Sequence, residues 1–171
     1  DPLSALCARW NIALIEDAAE SLGTLYKGKH TGNHGLLSTL SFNGNKIITT
    51  GGGAMILTDD EALAEKARYL TTQAKDDPVR YVHNEIGYNF RLTNIQAALG
   101  TGQLEQLTRF LKRKKENHHQ YTEAVESIVG LTLAKSPDYA NNNHWINLVQ
   151  INSMTYGENW ETLMKKLEQN G

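Results

Sequence analysis

Leu3, Leu6, Cys7 and Trp10 recur every three or four residues, the spacing of one helical face. Asp1-Pro2 ahead of them reads as an N-cap with proline in the first turn. "IALI" (Ile12 to Ile15) follows as a continuous apolar run, the pattern of a strand covered on both faces. Helix followed by buried strand predicts an α/β sheet. "YKGKHTGNHG" is turn-rich. "LSTLSF" and "AMILT" predict two further strands, with the glycines Gly51 to Gly53 turning the chain between them. "TDDEALAEKARYL" predicts a helix, with Thr58 and Glu61 spaced as a capping box.

Residues 72–92 show neither helical nor strand periodicity, and a loop that long is functional or disordered. Thr93 and Gln96 form a second capping-box pattern, which opens a helical stretch reaching "EAVESI". Gly100 and Gly102 inside it each cost about 1 kcal/mol against alanine, so they predict close packing or a bend. After Gly130 the pattern changes to strand ("LTLA"), polar loop, strand ("HWINLVQI") and helix ("NWETLMKKLEQ"), which stops toward Gly171. A small α+β unit begins there, bridged to the first by the long helix.

The composition narrows the class. The chain has 171 residues, 40% hydrophobic and 21% charged, enough for one domain or one domain plus part of another. A net charge of -2 and a pI near 6.3 imply no basic face, so nucleic acid is not an expected partner. Cys7 is the one cysteine, which excludes an internal disulfide and fits a reducing compartment. No apolar run reaches membrane-spanning length, and "DPLSALCARW" is not patterned as a signal peptide. The ends look cut: the chain begins at the edge of an element and stops where a helix ends on glycine, which reads as a fragment of a longer protein.

Two residues could carry chemistry. Asp17 stands just after "IALI", and ligands of open α/β sheets bind beyond the carboxyl ends of strands. A helix-capping aspartate would look the same. Lys46 lies between a strand candidate and the glycine run. Lysine becomes a nucleophile when burial or a nearby cation lowers its pKa from about 10.4. An exposed loop lysine is the competing reading. "NGNKII" fails the G-x-x-x-x-G-K-[ST] phosphate loop, since Asn45 intervenes and Ile47 replaces the hydroxyl residue. His30/His34 and His118/His119 lack metal-site spacing, and Ser41 has no G-x-S-x-G setting.

Taken together, "IEDAAESLGT", "GKHTGNHG", "LSFNGNKIITTGGGAMILTDDEALAEKARYL" and "HNEIGYNFRLTNIQAALGTGQLEQL" resemble the DegT/StrS-type aminotransferases in order and spacing. The resemblance runs from Asp1 to about Leu111 and continues more faintly beyond. It implies an α/β fold: part of the large domain of PLP-dependent transferases (aspartate aminotransferase-like, type I), plus the start of a small α+β C-terminal domain. The boundary falls between 1–110 and 111–171. The implied cofactor is pyridoxal 5'-phosphate (PLP). The implied substrates are a nucleotide-linked keto-sugar and an amino-acid donor, glutamate by resemblance. The implied setting is a cytoplasmic homodimer with a shared active site.

The resemblance also assigns roles. Lys46 would form the Schiff base with PLP, and Asp17 would pair with the pyridine nitrogen. Ala19 would pack on the ring face. Glu20 falls where glutamine or histidine usually stands near the phenolic oxygen. Ser41 would bind the phosphate, and Asn89 would reach the phosphate of the neighbouring subunit. Gly35-Leu36 and Ala54 depart from the family pattern without removing a catalytic group. The family's N-terminal phosphate loop and stacking aromatic have no counterpart in this chain. The alternatives are a member acting on a non-sugar ketone and an inactive or regulatory truncated relative.

Overall fold

The computed structural model describes residues 1–170; the predicted helix stop at Gly171 lies outside them. The mixed α/β class is as expected. Helix α1 (Pro2–Arg9) carries Pro2 in its first turn. Asp1 is its N-cap by position, but its carboxylate pairs with Lys27 instead of capping. The next strand departs from expectation. β1 is Ile15–Asp17, not "IALI", and Ile12 and Ile15 are both 61% exposed. β1 hydrogen-bonds only to β4 (Leu37–Ser41), so it is an edge strand in the described sheet. Its apolar run meets no second cover.

β2 (Leu25–Tyr26) and β3 (Lys29–His30) form a tight hairpin within the glycine-rich segment. Its two turn residues, Lys27 and Gly28, have φ of 49° and 83°. Both being positive is what the twist of a two-residue hairpin requires. β4 is the centre of the main sheet, parallel to β1 and antiparallel to β5 (Ala54–Leu57). Its burial alternates, with Ser38 and Leu40 inward and Leu37, Thr39 and Ser41 on the opposite face.

Helix α2 (Glu61–Thr71) is capped by Asp60, whose Oδ1 accepts from the Leu63 amide at 3.0 Å. The expected cap, Thr58, is used elsewhere: its hydroxyl donates to the Leu36 carbonyl at 2.8 Å. Residues 72–92 hold two isolated bridges, Thr72 with Asn89 and Asp77 with Val82, and no longer strand. Helix α3 (Asn94–Leu104) opens with the predicted Thr93/Gln96 capping box. The helical stretch then breaks at Glu105–Gln106, not at its glycines, and resumes as α4 (Leu107–Glu126). Gly100 serves close packing: a Cβ there would stand 3.0 Å from Thr50 Cγ2.

The remaining elements are β6 (Leu131–Leu133), β7 (Ala140–Asn141), β8 (Val149–Ile151), α5 (Ser153–Tyr156) and α6 (Trp160–Asn170). β8 takes only the end of the predicted strand "HWINLVQI". β7 was not predicted, and it pairs with β2 from the first part of the chain. Two cores result. Ala18, Leu40, Phe42 and Ile48 form one, against Leu107 and Phe110 at the start of α4. Val125 at the end of α4 forms the other with Leu131 and Leu133. Among the described residues no helix is long and apolar enough to cross a membrane.

The accessible surface is 12473 Å². A compact monomer of 19.1 kDa would expose about 8,400 Å². Ile86, Phe90 and Ile95 are each more than 70% exposed. The faces built by α1, β1 and residues 79–99 are therefore apolar and open.

Glu16 explains the glycine-rich segment. Its carboxylate accepts from the amides of Gly32 (2.8 Å), His34 (2.5 Å) and Gly35 (2.6 Å), folding residues 31–35 under the sheet. Burial alone would raise its pKa. The three amides, with the charge of His34, outweigh burial and hold it below the ordinary glutamate value. The folded chain thus binds the ionised form more strongly than the unfolded chain does. That stabilisation is complete above the ordinary value of about 4.3 and is lost as pH falls through the lower folded value. Glu16→Gln is expected to cost about 1–3 kcal/mol in denaturant unfolding at neutral pH. It should also flatten the acid limb of the stability–pH curve.

Candidate active site

The lysine loop is the segment from Phe42 to Thr50. It leaves the end of β4 and returns to it, because the Phe42 carbonyl accepts from the Thr50 amide at 3.0 Å. The Phe42 amide in turn donates to the Gly53 carbonyl at 2.9 Å, and Gly51 and Gly53 take φ of 77° and 100° to make the turn into β5. A Cβ at Gly53 would lie 2.3 Å from Leu92 Cδ2, so the backbone there must be bare. Ile48, 2% exposed, plugs the loop into the first core. Gln103 of α3 clamps it from outside, donating Nε2 to the Thr49 carbonyl (2.6 Å) and accepting the Thr49 amide on Oε1 (3.0 Å).

Lys46 stands on this fixed loop with its side chain 13% exposed. Its Nζ lies 3.5 Å from Glu20 Oε1 and 4.3 Å from the centre of the Trp145 ring. Ala19, Glu20, Leu22, Ser41, Lys46, Ile47 and Trp145 line one small cleft. Four of the six expected site residues, Ala19, Glu20, Ser41 and Lys46, therefore meet. Asp17 ends β1 and pairs in register with Thr39, so its side chain shares the sheet face of Thr39 and Ser41. It is exposed, and its Oδ1 accepts the Ala19 amide at 3.1 Å, which fixes the carboxylate. Asn89 is not brought to Lys46. It is exposed, and its backbone bridges to Thr72 at the end of α2.

A larger cavity, about 1020 Å³, lies between β5, α2 and residues 90–97. None of the six candidates lines it. Among the described residues no group of three or more histidine, cysteine, aspartate or glutamate side chains could hold a metal ion. His30 is structural, accepting the Gly23 amide on Nε2 at 2.8 Å.

Sequence reasoning missed Trp145 and the segment that delivers it. Asn143, 4% exposed, donates Nδ2 to the carbonyls of Glu20 (2.9 Å) and Leu22 (3.0 Å). Its amide donates to Thr24 Oγ1 at 3.1 Å. His144 stacks on His118 of α4 with ring centres 3.9 Å apart. Burial, then the charges of His118 and Lys115, lowers the His144 pKa. The available signal was weak: an asparagine run before "HW" in a polar loop, more than a hundred positions from the residues it serves.

The donor set suits an aldehyde cofactor carrying a phosphate and a basic ring nitrogen. One shielded amine can form an imine. A fixed carboxylate with a free Oδ2 can face a protonated ring. Ser41 Oγ accepts only the Asn43 amide, at 3.3 Å, which leaves its proton to donate. Ala19 is small enough to admit a flat ring beside it.

A shielded lysine beyond the central strand and a carboxylate ending the neighbouring one fit the PLP-dependent transferase class. The sequence profile of the DegT/DnrJ/EryC1/StrS aminotransferase family matches residues 1–171, and the chain belongs to that family. The family is PLP-dependent. EpsN of Bacillus subtilis (strain 168), provisionally named a pyridoxal phosphate-dependent aminotransferase, is 43% identical over 155 residues, 90% of this chain and 39% of the relative. The GDP-perosamine synthase of Caulobacter vibrioides is 48% identical over 115 residues, 67% of this chain and 31% of the relative. The crystal structure of the aminotransferase TlmJ from Streptoalloteichus hindustanus superposes with a TM-score of 0.90 at 24% identity, over 99% of this chain and 45% of that one; this establishes the fold. The chain thus spans less than half the length of these relatives.

Proposed function

We propose that the protein to which this chain belongs transfers an amino group from an amino acid, glutamate, to a keto-sugar carried on a nucleotide. The observation that carries this is the placing of Lys46. Its amine is shielded, on a loop fixed at both ends, in a cleft shared with Ala19, Glu20 and Ser41. Family membership and the GDP-perosamine synthase relative support the substrate class.

In this reading PLP, when bound, supplies an electron sink for the carbon whose nitrogen is transferred. Lys46 holds the cofactor covalently through Nζ. When not holding the cofactor, the same amine would be placed to carry a proton to and from the reacting carbon. Asp17 would pair with the ring nitrogen and favour its protonated form. Ser41 donates its hydroxyl proton to the phosphate. Ala19 would leave room on the ring face, and Glu20 would lie on the side of the phenolic oxygen. Asn89, on the exposed 72–92 loop and away from its own chain's cleft, serves the phosphate site of a second copy, so the working unit is a homodimer. Residues 1–110 then form the carboxyl part of the cofactor domain, and 111–171 begin the small domain.

The test is a two-substrate assay on the complete protein loaded with PLP. Glutamate and a nucleotide-linked keto-sugar should give 2-oxoglutarate and the amino-sugar in equal amounts. Initial rates varied in both should give the parallel double-reciprocal lines of ping-pong exchange. Release of 2-oxoglutarate with no aminated sugar from any keto-sugar nucleotide would overturn the substrate class.

A further inference from the structure

The lysine loop fixes the backbone of residue 46 but not its side chain. Lysine has a flexible four-carbon stem, and the amine must be held at one place to meet a carbonyl. Within the first part of the chain the partner of Nζ is Glu20, at 3.5 Å. Glu20 is itself 64% exposed, so this pair is screened and confers little order.

The second restraint comes from residue 145. The Trp145 ring lies beneath Nζ, 4.3 Å from the ring centre, well inside cation–π range. Its Nε1–H donates to the Asn45 carbonyl at 2.6 Å, so the ring is pinned to the residue next to the lysine. The rest of Trp145 is tied on two sides. Its amide donates to Asn143 Oδ1 at 3.0 Å, and its carbonyl accepts from Lys114 Nζ at 3.0 Å. Asn143 is anchored under Glu20 and Leu22, and β7 just before it pairs with β2. His144 between them holds φ of 50°, a costly backbone for a non-glycine residue. The segment gives up local comfort to present the indole.

We infer that Trp145 is a positioning residue for Lys46: its π face holds the amine in the cleft, and the Asn143 anchor sets the ring. This rests on the reading of Lys46 as the cofactor-holding lysine. It makes residues 140–145 part of the first unit's site, although they lie beyond α4 in sequence. The coupling also runs the other way. The cleft is complete only when the C-terminal unit is docked through Asn143.

The test uses cofactor-free complete protein mixed with PLP, quenched with borohydride at intervals, the fixed adduct being located and counted by peptide mass. Trp145→Leu keeps apolar bulk without a π face. Trp145→Phe keeps the face without the indole donor. Adduct formation at Lys46 should slow about tenfold in the leucine variant, because the flexible stem no longer holds Nζ at one place in the cleft. It should stay within about threefold of the parent in the phenylalanine variant. A packing role alone would slow both alike, and that result, or parent-like capture in the leucine variant, would overturn the inference. An adduct forming in the parent at a lysine other than Lys46 would instead remove the reading of Lys46 on which the inference stands.

Discussion

Lys46→Ala in the complete protein is expected to abolish covalent PLP capture, leaving no borohydride-fixed adduct at position 46. Transamination should fall by at least about 10³-fold, since in the proposed reading one side chain supplies both the covalent attachment and the proton transfer, and the second alone contributes about 10²–10⁴-fold. The fold should survive, because the side chain's polar partners are Glu20 and the Trp145 ring, not the core. Ile48 and the Thr50–Phe42 closure hold the loop without it. Lys46→Arg sharpens the result. It restores the cation beside Glu20 and over Trp145, but a guanidinium cannot form an imine or give up its proton. It should therefore be as inactive as the alanine variant while recovering its stability. Parent-like turnover in either variant would remove Lys46 from the chemistry. Absorbance of the PLP-loaded protein and a steady-state assay are sufficient to decide.

Much of this arrangement is legible in the sequence because its determinants are local. The Thr93/Gln96 capping box forms as the spacing predicts. β4 forms where "LSTLSF" predicts a strand, and Gly51 and Gly53 turn the chain into β5 because positive φ is open to glycine. The errors have a common cause. Thr58 and Asp60 are both good caps, and what decided between them was the Leu36 carbonyl, far away in sequence, which takes the Thr58 hydroxyl. "IALI" reads as a doubly covered strand, yet cover depends on what packs beside it, and β1 has a neighbour on one edge only. Of the close packing or bend that Gly100 and Gly102 suggest, Gly100 shows the close packing, against Thr50, while the helical stretch breaks further on, at Glu105–Gln106.

The site divides along the same line. Ala19, Glu20, Ser41 and Lys46 lie near the ends of adjacent strands, so a parallel β1–β4 pair brings them together once the strands are known. Trp145 is different. Nothing in its neighbourhood signals a destination; the information is in Asn143, whose donors are buried only because Glu20, Leu22 and Thr24 present acceptors to it. A buried asparagine is tolerated when its hydrogen bonds are made. From sequence alone this one is an asparagine in a run of three.

Asp17→Asn is expected to lower kcat by about 10²–10³-fold, the size associated with deleting one electrostatic group at a reacting centre. The change is nearly isosteric, and the amide oxygen can still accept the Ala19 amide that now holds Oδ1. Position is therefore preserved and charge alone is lost. Asp17 is exposed and makes no ion pair among the described residues, so stability should change by less than about 0.5 kcal/mol. The distinguishing result is a separation of steps. PLP should still be captured at Lys46, because capture depends on the amine and its placing, while turnover collapses because the ring nitrogen is no longer kept protonated. Asp17→Glu would retain charge but push it about one methylene further from β1, and should fall between the parent and the asparagine variant. Capture and turnover lost together in Asp17→Asn would mean that the carboxylate organises the cleft instead of tuning the ring. Unchanged turnover would mean that it does neither.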